Sequence, residues 1–120
     1  MQLFATIIKF VFVVFFAYTG IMHFVKPKFF NPFIPKPFPK KMSNYLVGLI
    51  ELGLGIGLLF SKYVEISAAG IFILLVLLLP IHIWDLTREK PTIGSKKLAI
   101  TRIPMQFLLM YFAYLIFQHP

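Results

Sequence analysis

Apolar positions along the chain fall into four runs, covering residues 3–25, 42–60, 64–84 and 103–118. Each is near the ~17–25 residues that a membrane-spanning helix requires, the fourth being slightly short. A barrel would instead need many alternating segments of about 10 residues. Helices also satisfy their own backbone polar groups in lipid. The pattern predicts an all-α fold: an antiparallel transmembrane four-helix bundle, one domain over residues 1–120, with a Pro/Phe/Lys-rich interfacial loop between its first and second helices. The first run has no basic residue before Lys9 and no A-x-A-like cleavage site, so a retained helix is expected, not a signal peptide.

Composition sharpens this picture. Hydrophobic residues make up 59% of the 120 residues, charged residues 13%, and the mean hydropathy is +0.86. A soluble domain is about a quarter charged and about half apolar, and a small one keeps much of its surface exposed. An ordinary soluble domain and a disordered chain are both excluded. Cysteine is absent, which excludes disulfides, thiolate nucleophiles, Cys-ligated zinc and iron–sulfur clusters. The net charge of +8 would suggest nucleic acid in a soluble protein. Here the charges lie between apolar runs, so a bilayer with anionic headgroups is the expected partner and nucleic acid is not.

The first connection, residues 26–41, reads KPKFFNPFIPKPFPKK. Its prolines at 27, 32, 35, 37 and 39 forbid a regular helix. Phe29, Phe30, Phe33, Ile34 and Phe38 alternate with lysines, a composition suited to the membrane surface, with rings among acyl chains and ammonium groups at phosphates. A docking platform, or a lid over a site below, is the sharper alternative. The second connection is short, so helices two and three form an antiparallel hairpin. The first and third connections share one side and hold ten of the twelve basic residues, leaving Lys9 and Lys62 opposite. The positive-inside rule then puts both long loops in the cytoplasm and both termini outside it.

Ionisable groups within spans are costly and are functional candidates. His23 ends helix one on the loop side, and His82 and Asp85 end helix three there. Arg102 is expected at the mouth of helix four, with Gln106 about 6 Å deeper, and Glu51 about 13 Å into helix two. All six fall in one half of the bundle. Glu51 must be protonated, paired or facing water. Its candidate partners are His23, His82, Arg102 and Gln106, of which Arg102 and Gln106 enter from the same side and a long Arg extends inward. Pro80 is expected to kink helix three just before His82. Gly53 and Gly57, with Gly48 and Gly55 nearby, form a small-residue pattern for close helix packing.

The set Tyr18-x-Gly20-x-x-His23-Phe24, Pro27, Gly48-x-x-Glu51-x-x-x-Gly55, Pro80, and Arg102 with Gln106 resembles the DoxX family of small four-helix membrane proteins. That family's namesake is a subunit of a thiosulfate:quinone oxidoreductase in the respiratory membrane. Other members accompany redox enzymes, and an animal relative is an assembly chaperone for acetylcholine receptors. The resemblance implies a bacterial cytoplasmic membrane protein and a link to quinone metabolism, more firmly for fold than for activity.

Three functions follow as expectations. In the first, the chain is a membrane subunit or accessory protein in quinone-linked redox metabolism, at most part of an oxidoreductase. Glu51, His23 and His82 would handle protons at a quinone headgroup, and Gln106, Arg102 and Asp85 would help bind it. In the second it is a non-catalytic scaffold or assembly factor, working with a protein partner or as a homo-oligomer. In the third the polar cluster conducts a small solute or proton. His23 and His82, at similar depth on different helices, are also a weak haem signal, although no metal site is assigned.

Overall fold

The computed structural model describes residues 2–30, 34, 38–87 and 96–120. Four helices follow one another: α1 (Gln2–Val25), α2 (Lys40–Gly57), α3 (Val64–Thr87) and α4 (Lys96–Gln118). A single 3-10 turn at Pro27–Phe29 follows α1, with proline at its start and a hydrogen bond from Phe30 N–H to the Pro27 carbonyl. No strand occurs among the described residues. The all-α four-helix expectation holds. Six residues of the Pro/Phe/Lys-rich loop, at 31–33 and 35–37, lie outside the described residues, as does the stretch 88–95 of the third connection.

Two boundaries differ from expectation. Helix α4 begins at Lys96, not at 103. Lys96, Lys97 and Arg102 look like loop residues because they are charged, but 96–102 contains no proline or glycine to oppose helical geometry. Gln106, ten residues beyond Lys96, therefore lies about 15 Å into the helix, and Arg102 about 9 Å. Helix α2 runs from Lys40 to Gly57, ending three residues earlier than expected, with Pro39 leading into it. Glu51 is eleven residues beyond Lys40, or about 17 Å in.

The buried positions of α1 are Ala5, Ile8, Phe12, Phe16, Gly20 and His23, spaced by threes and fours. Those of α2 are Asn44, Gly48, Glu51 and Gly55, with the same spacing. These stripes face each other. A Cβ on Gly20 would lie 2.9 Å from the Gly48 carbonyl oxygen and 2.8 Å from Leu52 N, so the two backbones touch. Gly55 lies against Phe16 in the same seam. Without side chains at these points the helices approach closely enough for dispersion contacts between backbones. The seam corrects the expected glycine pattern: Gly53 faces open space and Gly57 faces Ser67 of α3.

Helices α3 and α4 form the other close pair. The hydrophobic core, including Phe12, Phe16, Leu58, Ala68, Ile71 and Ile116, fills the end of the bundle that holds the termini and the 58–63 connection. Gln2 Nε2 lies 3.5 Å from the His119 carbonyl at that end, so both termini are on one side. The loop end holds the buried polar residues His23, Asn44, Glu51, Asp85 and Gln106.

The outer surface is strongly apolar. Three segments, Gln2–Val25, Val64–Asp85 and Ile100–Gln118, are long and apolar enough to cross a membrane, yet only 22–28% of each is buried inside the bundle. Leu3, Val14, Leu49, Ile66, Ile73 and Leu77 point outward. A soluble monomer rarely exposes contiguous apolar patches beyond a few hundred Å². The longest dimension is 42 Å, close to the ~40–45 Å of a bilayer with its headgroups. Helix α2 does not reach the same standard by length and composition. It has 18 residues and carries Lys40, Lys41 and Glu51.

Candidate functional site

The polar end of the bundle surrounds a cavity of about 620 Å³. Its walls are mostly aromatic and aliphatic, with contributions from Phe15, Val47, Leu78 and Trp84. Four of the six candidate residues, His23, Glu51, His82 and Arg102, line it. Asp85 and Gln106 do not line it: both are almost fully buried, beside the lining residues His82 and Leu75.

One wall is built by the α1–α2 seam. Each His23 nitrogen has a partner: Nδ1 lies 2.9 Å from Asn44 Oδ1, and Nε2 lies 3.6 Å from Glu51 Oε1. The other Glu51 oxygen accepts a 2.5 Å hydrogen bond from the Thr19 hydroxyl. Asn44 Nδ2 donates to the Lys40 carbonyl at 3.0 Å. That bond fixes the amide, so its oxygen faces the imidazole and Nδ1 carries the proton. His23 Nε2 then faces Glu51 Oε1, and such a pair is neutral when it shares one proton. Imidazolium with carboxylate and imidazole with carboxylic acid carry the same total charge, zero, which lowers the cost of burying the pair. Phe30 stacks on His23 with centroids 3.7 Å apart and planes at 19°. Glu51 is thus held by His23 and Thr19, where reach from the helix mouth pointed to Arg102 or Gln106.

The opposite wall comes from α3 and α4. Pro80 lies inside α3 and leaves the Val76 carbonyl without its helical donor. One residue away, Gln106 Nε2 donates to the Leu75 carbonyl at 2.6 Å, tying α4 to α3 beside the interrupted turn. The Gln106 nitrogen is therefore committed to the backbone, while its Oε1 is buried and meets no donor among the described residues. His82 reaches the cavity beyond Pro80, within electrostatic range of Arg102 and Asp85. Arg102 Nη1 is buried and meets no acceptor among the described residues.

From above, Phe30, Ile34 and Phe38 of the first connection also line the cavity. Lys40 Nζ anchors this cover through the Ile34 carbonyl at 3.0 Å. Residues missed by sequence reasoning are Thr19 and Asn44, whereas Phe30 is legible only as one of the apolar residues of the first connection. Helical spacing marks the first two: Asn44 is seven residues before Glu51 on one face of α2, and Thr19 is four before His23 on α1. Phe30 had no such signal. Among the described residues no group of three His, Asp or Glu side chains is placed to hold a metal ion.

Fold and site together define a compact helical bundle with long apolar helices, consistent with an integral membrane protein, and with a cavity that Phe30, Ile34 and Phe38 help to line. The chain belongs to a family described as a domain of unknown function, DUF8561, which it matches over residues 12–117. That stretch contains every residue lining the cavity. No curated protein matches the chain, and no solved structure does.

Proposed function

We propose that the protein is a DoxX-like integral membrane protein whose cavity binds a lipophilic quinone, as a membrane subunit or accessory protein of quinone-linked redox metabolism in a bacterial cytoplasmic membrane. All four helices cross the bilayer. Helix α2 is about 27 Å long at 1.5 Å per residue, against a hydrocarbon core of about 30 Å. Lys40 and Lys41 sit at its headgroup end, and Glu51 crosses neutralised by His23. The long connections face the cytoplasm and both termini face away from it.

The observation that carries this reading is the cavity. Ligand sites are mostly apolar clefts of ~300–1,000 Å³ with a few placed polar groups, and this one has the His23–Glu51 pair in its wall. A bound quinone supplies two-electron, two-proton chemistry, with electrons drawn from a partner redox enzyme. The chain's own part is protonic. His23 Nε2 and Glu51 hold one mobile proton at the cavity surface, Thr19 orients the carboxylate, and Asn44 fixes the ring. Phe30 covers the imidazole. The DoxX-like positions Gly20, His23, Gly48, Glu51 and Gly55 all fall on the α1–α2 seam, which supports the resemblance.

Trp84, the chain's one tryptophan, lines the cavity and reports on occupancy. A short-chain quinone analogue added to the protein in neutral detergent is expected to quench it saturably. Glu51→Gln keeps shape and most hydrogen bonding but removes the titrating proton. This variant is expected to fold normally and to lose quinone-linked function in cells. Linear, unsaturable quenching would remove the quinone reading. A stoichiometric co-purifying protein without any bound ligand would favour the scaffold or assembly role, and transport in proteoliposomes a solute pathway.

A further inference from the structure

The second polar wall points to the charge of the ligand. Arg102 contributes to the cavity surface, and its Nη1 is buried without an acceptor. A guanidinium partly removed from water is costly unless an anion or several acceptors replace that water. The chain has four acidic residues to offer. Glu51 is committed to His23 and Thr19. Glu65 lies in the first turn of α3, at the far end of the bundle. Asp85 is almost fully buried, does not line the cavity and acts on His82, and the ion pair within 4 Å among the described residues is His23–Glu51. Glu89 lies outside the described residues. Within the described cavity, then, the positive charge of Arg102 has no negative counterpart, whereas the His23–Glu51 wall is internally neutral.

We infer that Arg102 is an anion-recognition residue and that the cavity accepts an amphiphile with a carboxylate or phosphate head on an apolar chain. This rests on the reading of the cavity as a ligand site but not on quinone chemistry. Guanidinium suits the task because its planar donors match carboxylate and phosphate geometry. The apolar walls take the chain. Lys26, Lys28, Lys40 and Lys41 on the same side raise the local concentration of anionic amphiphiles.

The test is competition of head groups at constant tail, read by Trp84. A brominated fatty acid and the matching brominated alcohol are titrated separately into the full-length protein in neutral detergent, at a pH where the acid is ionised. The acid is expected to half-saturate quenching at a concentration at least about tenfold below that of the alcohol. That preference should persist in ~1 M salt, where the Debye length is about 3 Å and surface lysines are screened. Arg102→Gln should reduce it to near unity. A brominated phosphatidic acid distinguishes a phospholipid from a free fatty acid as the source of the head group. Equal affinity for acid and alcohol would overturn the inference. So would a preference lost in high salt, a result that needs no variant, or one unchanged in Arg102→Gln. A neutral quinone analogue in the same titration separates the two readings: quinone binding without anion preference overturns this one alone, and no saturable quenching by any probe overturns both.

Discussion

Asn44 accepts a hydrogen bond from His23 Nδ1 at 2.9 Å, and cannot reverse the polarity of that bond because its own amide nitrogen is held by the Lys40 carbonyl at 3.0 Å. A residue about two turns before Glu51 on α2 thereby decides which imidazole nitrogen faces the carboxylate. The ring therefore presents Nε2, and not Nδ1, to the Glu51 carboxyl group.

Asn44→Ala should accordingly damage both stability and site. It leaves His23 Nδ1 without that partner, and a buried unsatisfied group costs about 1–3 kcal/mol. The midpoint of thermal unfolding in detergent should fall. Asn44→Asp, which keeps the acceptor oxygen but loses the donor to the Lys40 carbonyl, should recover only part of the loss. Equal midpoints for wild type and Asn44→Ala would show that the bond does not orient the ring.

His23 and Glu51 should behave as one unit. Glu51→Ala and His23→Ala, measured singly and together by the same unfolding assay, should show an interaction energy of ~0.5–3 kcal/mol, as contacting polar groups do. Strict additivity of the two losses would separate them.

The α1–α2 seam predicts a sharp contrast between glycines. Gly20→Ala places a methyl group against the Gly48 and Leu52 backbones, at 2.9 and 2.8 Å, and the helices must part. Gly53→Ala meets nothing within 4 Å and gains helix propensity of about 1 kcal/mol. Unfolding midpoints should move in opposite directions. A tolerated Gly20→Ala would place the seam elsewhere.

Topology can be read with single cysteines, since the chain has none of its own. Positions Lys28 and Thr87 should be labelled from the cytoplasmic side, and Lys62 from the other. Labelling of Lys28 and Thr87 from opposite sides would remove one crossing, with α2 the helix in question, because it carries three charges in 18 residues.

Replacing Lys26, Lys28, Lys36, Lys40 and Lys41 by glutamine should weaken retention on anionic bilayers by about 1 kcal/mol per charge near the surface. The readout is co-sedimentation of the purified protein's lipid annulus at fixed anionic-lipid content. Unchanged retention would leave the first connection to protein docking or to roofing the cavity.

Four helices, their order and the gathering of polar groups at one end were legible in the chain, because helix length and apolar run length are set by the same bilayer thickness. The α4 start was not, because the charges in 96–102 look like loop although the stretch holds no helix breaker. Helical spacing placed His23 and Glu51 at compatible depths, but depth does not give azimuth. Rotation about each helix axis is settled by the Gly20–Gly48 contact, which turns Asn44, Glu51 and His23 toward one another. It also leaves Gly53 outside the seam. Gln106 looked like a ligand group and is instead a strut to the Leu75 carbonyl beside Pro80. A buried side chain's role depends on which backbone group lacks a partner nearby, and that is known only once two helices have met.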